Sequence, residues 1–222
     1  MSHVTQRPEF VAANAGFAHE FQLVDVADCS ETEPTAYFYQ NLAEAEYIVA
    51  VYMFMRLQGY PAEKISILST YNGQVALLND VARYRCSALP EIGMPHKIST
   101  VDKYQGQQND YVLLSLVRTK TVGHVRDVRR LVVALSRSRL GLYVFGSKHL
   151  FSSCIELGPS FAQLNAKPNR LQLVLGEKRP TSRAAGSVPA DAFEVHDGQH
   201  MQAVVMQCLG QLRYSRRDKS SA

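Results

Sequence analysis

The segment Tyr111–Val117 (YVLLSLV) is apolar almost from end to end. A strand with one wet face alternates polar and apolar residues. A run like this one belongs to a strand covered on both faces, as in parallel sheets flanked by helices. Four further runs read as strands: Phe21–Val26, Ile65–Ser69 (ISILS), Lys97–Val101 (KISTV) and Leu142–Phe145 (LYVF). Helical patterns lie between them. Asn41–Leu57 opens with Asn41 as N-cap and Glu44 three residues later, a capping-box pair. Ala45, Ile48, Val49, Tyr52 and Met53 follow at helical spacing, and Gly59 and Pro61 end the pattern. Asp28–Thr35 is polar and reads as a loop. After a turn at Tyr71-Asn72-Gly73, Gln74–Tyr84 is helical through Val75, Leu78 and Val81. Asp102–Asn109 is a polar turn or short helix. Asp127 caps a helix Val128–Ser138 that Gly141 closes. Strands alternating with helices at this spacing make an α/β domain with a mainly parallel sheet. Such sheets hold ligands at loops leaving the strand C-terminal ends, here those beginning at Thr70 and Asp102.

Residues 1–175 are expected to form this domain. A linker, 176–198, includes EKRPTSRAAGSVPAD, rich in charge, Pro, Gly and Ser. Residues 199–213 form an amphipathic helix whose Met201, Val204, Val205, Cys208, Leu209 and Leu212 share a face, expected to pack on its own domain. A disordered basic tail, 214–222, ends the chain. The formal net charge of +4 is compatible with a phosphate-bearing partner but does not demand one. The four cysteines form no C-x-x-C pair, so no metal site is expected. No apolar run approaches the roughly 20 residues that cross a bilayer, and no membrane partner is expected.

Three segments carry chemistry. In DVRRLVVALSRSRLGLYVFG, Arg130 and Arg137 stand seven residues apart, which on a helix brings both guanidinium groups to one face. Permanently charged, planar groups suit phosphate oxygens whose charge grows during transfer. The same spacing equally suits a surface helix paired with acids. In KISTVDKYQGQQNDYVLLSLVR, Gly106 lets the backbone approach a ligand, and Asp102 and Gln105 can bridge two ligands or domains. The plain alternative is a polar connection between core strands. In Ser69–Gln74 (STYNGQ), a small hydroxyl and amides at a strand end can hold a nucleic-acid phosphate, and Tyr71 can stack a base. A simple Asn-Gly turn explains the same residues.

In this order the three segments resemble the C-terminal RecA-like domain of superfamily 1 helicases of the type that acts in nonsense-mediated decay. There a TPYxxQ-like segment, SVDxFQG and RRLNVALTRAR succeed one another; here stand STYNGQ, STVDKYQG and RRLVVALSRSR. NLAEA at residues 41–45 is similar to that family's NxxEA helix start. The strings YFYQNLAEAEY, GYPAEKISIL, QGQQNDY, LLSLVRTK and GHVRDVRRLVVALSRSRLGLY are similar to a spliceosomal, intron-binding branch of the family. The resemblance covers roughly residues 8 to 170. It implies a RecA-like P-loop NTPase-type three-layer sandwich, the second motor domain of an ATP-dependent RNA helicase in pre-mRNA splicing. It implies ATP and Mg²⁺ as cofactors. The implied partners are single-stranded, intron-like RNA, an upstream motor domain and spliceosomal proteins, in the nucleus. By resemblance Arg137 is the arginine finger and Arg130 its supporting cation. Gln105, Gly106, Gln108 and Glu44 lie near the nucleotide. Thr70, Tyr71, Asn72, Thr100 and Asp102 face RNA. The chain departs from the family at Gln107-Gln108, where a charged pair such as Arg-Glu is common, and at Val132, where the family has Asn.

Neither G-x-x-x-x-G-K-[ST] nor a D-E-x-x box occurs. Both belong to the first motor domain of such helicases, so this chain is expected to supply only the second wall of the cleft and to lack ATPase activity alone. The start within QRPEF suggests a fragment whose first strand lies upstream. A catalytically inactive helicase-like scaffold that binds RNA or protein is the alternative.

Overall fold

The computed structural model describes residues 7–26 and 31–220. A five-stranded sheet, parallel throughout, runs through its centre. Its strands are β1 (Phe21–Asp25), β2 (Ile65–Ser69), β3 (Lys97–Thr100), β4 (Asn109–Ser115) and β5 (Ser138–Gly146), in the spatial order β1-β5-β4-β2-β3. All seven residues of β4 are buried. Tyr111 and Leu113 enter one core, Val112 and Leu114 the other, so the strand needs no polar face.

The first core is closed by α1 (Leu42–Leu57) and α2 (Asn72–Cys86), with α6 (Gly198–Ser220) laid over α1. The second is closed by the 3₁₀ turn Asp102–Tyr104, α3 (Val128–Leu135), α4 (Lys148–Ser152) and α5 (Gly158–Asn165). The result is a RecA-like three-layer α/β sandwich. Because α1 lies between the sheet and α6, most of its residues are buried. Met201, Val204, Val205 and Leu209 of α6 are buried against it, each contributing about 1.5–3 kcal/mol of burial. A short antiparallel pair, β6 (Leu171–Leu173) and β7 (Phe193–Val195), leads into α6.

Several elements differ from the sequence expectations. Tyr71-Asn72-Gly73 is not a turn: Tyr71 is the extended N-cap residue and α2 starts at Asn72. Gly73 is required because a Cβ there would lie 2.6 Å from the Tyr39 carbonyl oxygen. The helix expected to Ser138 ends at Leu135, since pairing of Ser138 with Asn109 draws the chain into β5 three residues early. Gly141 therefore sits inside β5, where a Cβ would meet Tyr111 at 2.8 Å. Of the expected loop Asp28–Thr35, residues 28–30 lie outside the described residues, while Glu31–Thr32 pairs antiparallel with Gln40–Asn41.

The segment 176–198 is tied down rather than free. Glu177 accepts from the Gly16 amide at 2.8 Å and pairs with Arg183 at 2.7 Å. Arg183 also donates to the carbonyls of Asn14 and Phe17. Burial pushes the Glu177 carboxyl up, but Arg183 and the Gly16 amide outweigh it and hold it low. Where a disordered tail was expected, α6 continues through Ser220, with Arg213 3.5 Å from Glu91.

Candidate nucleotide and nucleic-acid site

The loop 102–108 leaves the C-terminal end of β3, crosses the second face of the sheet, and enters β4 at its N-terminal end. Tyr104 anchors it from beneath, its hydroxyl 3.0 Å from Ser66 Oγ. Gln105, Gly106, Gln107 and Gln108 are exposed at its crest. Gly106 has φ +76°, a left-handed backbone that excludes most side chains, and open space surrounds the place its Cβ would occupy. Its glycine thus serves the turn; no neighbour crowds it.

Arg137 meets this loop. It lies in the turn between α3 and β5, not on the helix, so the seven-residue spacing to Arg130 is not a shared helical face. Its Nε donates to the Val133 carbonyl at 2.8 Å, its Nη1 to Gln107 O at 3.2 Å and its Nη2 to Ser136 Oγ at 3.0 Å. All three acceptors are neutral. Gln108 Nε2 returns a bond to Ser136 O at 3.2 Å, and the Asn109 amide donates to Arg137 O at 3.0 Å. Arg139, two residues on, is instead paired with Asp110, which also takes Lys64 at 3.1 Å. Among the described residues Arg137 and Arg130 have no acidic partner. Arg130 is exposed on α3.

The C-terminal edge of the sheet brings together the other predicted residues. Thr70 Oγ1 is buried with no hydrogen-bond partner among the described residues, an arrangement that costs free energy unless a ligand supplies one. Asn72 and Asp102 are exposed. Thr100 is buried, its hydroxyl accepting from the Lys103 amide at 3.3 Å. Tyr71 is only 4% exposed. Its ring packs edge-on against Tyr39 at 5.3 Å, and its hydroxyl accepts from the His124 amide at 3.2 Å. That ring is already used in packing, so it offers no face to a base as it stands.

Glu44, which the resemblance places near the nucleotide, is wholly buried. Half of the capping box forms, with Asn41 Oδ1 accepting from the Glu44 amide at 3.0 Å. The reciprocal arm does not, because the Asn41 amide donates to Gln74 Oε1 at 2.7 Å. The Glu44 carboxyl instead accepts from Ser115 Oγ at 2.5 Å and the Val117 amide at 2.9 Å. Burial lifts it to about 8, against the pull of Ser115 and the Val117 amide. Val117 has φ +71°, and Arg118 N bonds Leu116 O at 2.8 Å, so Val117 is the centre of a γ-turn of the rare positive-φ kind. Glu44 and Asn41, whose Nδ2 donates to Val117 O at 3.2 Å, hold that strained residue in place.

The turn delivers Arg118, which sequence reasoning did not single out. Its guanidinium lies 3.9 Å over the Tyr39 ring, and its Nε is 3.0 Å from Glu31 Oε1 without hydrogen-bond alignment. Glu31 also accepts from the Thr119 and Lys120 amides at 2.6 and 3.1 Å. Burial raises the Glu31 carboxyl, but those amides and Arg118 outweigh it and keep it low. The visible signal was an arginine directly after the run Tyr111–Val117, apolar but for Ser115. No cluster of three or more metal-binding side chains occurs among the described residues. The guanidinium of Arg137 thus stands beside an exposed loop, bonded to neutral acceptors only.

A family model described as an AAA domain matches residues 2–149. RNA helicase aquarius from Mus musculus is 57% identical over 198 residues, covering 88% of this chain and 13% of that protein. Pre-mRNA-splicing factor cwf11 from Schizosaccharomyces pombe is 34% identical over 198 residues, covering 87% of this chain and 15% of that protein. NFX1-type zinc finger-containing protein 1 from Mus musculus is 37% identical over 117 residues, 51% of this chain and 6% of that protein. The chain therefore spans a small part of the length of the first relatives it matches.

Proposed function

The chain belongs to the AAA-domain family, and from that premise we propose that it is the C-terminal motor domain of an ATP-dependent RNA helicase. The observation that carries this is Arg137: a guanidinium held only by neutral acceptors, against the exposed Gln105–Gln108 loop. A permanent cation without a counter-charge is available to a phosphoryl group held by a facing domain. In this proposal Arg137 is the arginine finger and Arg130 supports it. Gln105, Gly106 and Gln108 form the rim of the nucleotide cleft. Glu44 acts from beneath as a positioning residue for the Ser115–Arg118 turn. ATP supplies the phosphoryl group and Mg²⁺ neutralises its charge, both held mainly by a first motor domain. Asn72 and Asp102, exposed at the C-terminal edge, front the RNA face, with the unpartnered Thr70 hydroxyl and Thr100 buried behind them. Two similar proteins, an RNA helicase from Mus musculus and a pre-mRNA-splicing factor from Schizosaccharomyces pombe, support single-stranded RNA, spliceosomal partners and a nuclear setting.

The test is RNA-stimulated ATPase in a protein joining this chain to a first motor domain with a phosphate loop. Arg137→Ala should lower turnover by about 10³-fold or more. Turnover unchanged by that substitution would refute the finger and leave the scaffold alternative standing.

A further inference from the structure

Resting on the RNA-helicase reading, we propose that the loop from Thr119 to Arg129 is a preformed track for the phosphate backbone of single-stranded nucleic acid. It would extend the Thr70–Asn72 face across the C-terminal edge of the sheet.

Residues 118–130 (RTKTVGHVRDVRR) hold five Lys or Arg and one acid. Some of these charges already have partners within the chain. Arg118 is buried against Glu31 and the tyrosines, and Arg126 pairs with Glu156 at 2.8 Å. Asp127 is the exposed N-cap of α3, accepting from the Arg129 amide at 3.0 Å. Lys120, His124 and Arg129 remain exposed, without an ion-pair partner among the described residues.

A solvated charged loop is usually loose. This one is fastened at several points by buried groups. Glu31 takes the amides of Thr119 and Lys120, Arg118 donates to Thr121 Oγ1 at 2.5 Å, and Tyr71 OH takes the His124 amide. Gly123, at φ +61°, runs so close to Tyr71 that a Cβ would lie 2.2 Å from its hydroxyl. The His124 ring lies tilted over Tyr71 at 5.5 Å. The cost of ordering the cations is therefore met by the fold before any ligand arrives.

Strand order sets the direction. β4 and β2 are neighbours, so their C-terminal ends lie about 4.8 Å apart, and Tyr71, which follows β2 and precedes Asn72 at the start of α2, contacts His124 in the loop after β4. The tyrosine between them packs on both. A chain of phosphates crossing the strand ends would meet Asn72, then His124 and Lys120. Such contacts recognise backbone and not base.

The experiment measures binding of a fluorescein-labelled oligouridylate to the full chain by anisotropy over a salt series. Two lost phosphate contacts on a single strand reduce the salt slope by about 1.4, which is a roughly 25-fold weaker affinity near 0.1 M salt. Lys120→Ala combined with Arg129→Ala should show that loss, equally with oligoadenylate. Lys120→Arg with Arg129→Lys should stay within about twofold, since charge is kept. If the double alanine variant keeps wild-type affinity and slope while Asn72→Ala weakens binding, the track is refuted and the RNA reading survives. If the wild-type chain and all variants fail to bind, both fall.

Discussion

Replacing Glu44 by Gln should change how stability depends on pH, and the size follows from where the carboxyl sits. Its folded-state value of about 8 stands above the ordinary 4.5, burial being the main cause. The folded chain therefore holds a proton that the unfolded chain releases. The stability this group contributes is fully present below pH 4.5 and is lost as pH rises toward 8, by about 1.4 kcal/mol per unit. At pH 7 the accumulated loss is on the order of 3 kcal/mol, a visible fraction of a typical domain's 5–15 kcal/mol. Gln cannot titrate. Its carbonyl can accept from Ser115 and Val117 as the carboxyl does, but its amide then faces Asn41 Nδ2, now 3.4 Å from Glu44 Oε1. Losing that contact costs about 1 kcal/mol at every pH. The two stability curves should cross: the wild type more stable at pH 5, the Gln variant at pH 8. Urea midpoints followed by circular dichroism at each pH measure this. His19, held below its usual value chiefly by burial, acts in the opposite sense in both proteins and cancels in the difference. Parallel curves from pH 5 to 8 would show that Glu44 does not titrate in this range and would sink the argument.

Other substitutions probe the frame. Gly73→Ala should destabilise the chain by about 1–3 kcal/mol, measured as a lower thermal midpoint, because the added methyl meets the Tyr39 carbonyl. Arg183→Ala should cost about 3–5 kcal/mol in urea unfolding, since it strands the half-buried Glu177 carboxylate and two carbonyls. Loss of under about 0.5 kcal/mol would mean that the segment 176–198 is not fastened as described.

Legibility in the sequence followed the length scale of the physics. The layered α/β fold was readable because Tyr111–Val117 has no wet face and Asn41–Leu57 has a cap and a helical stripe, both local properties. What failed depended on distant partners. Nothing near Gly73 says that Tyr39 will lie over it, so the Asn-Gly pair read as a turn. Glu44 satisfied a local capping pattern, yet its carboxyl went to Ser115 and Val117, which are remote in the chain. Tyr71 looked like a stacking ring until Tyr39, Arg118 and His124 surrounded it.

The same reasoning applies to the two arginines at the α3–β5 turn. Arg137 and Arg139 are equivalent in composition and stand two residues apart, yet they have different fates. Arg139 lies one step inside β5, where Asp110 of the neighbouring β4 neutralises it. Arg137 lies before the strand begins, beyond the reach of that carboxylate, and finds only carbonyls and a hydroxyl. The early end of α3, which the helical pattern did not predict, is what separates them. Had the helix run to Ser138, the pairing of Asn109 with Ser138 that starts β5 would be lost. The guanidinium without an acidic partner is therefore a product of where β5 begins, at the Asn109–Ser138 pair beside the register shift between Asn109 and Tyr111.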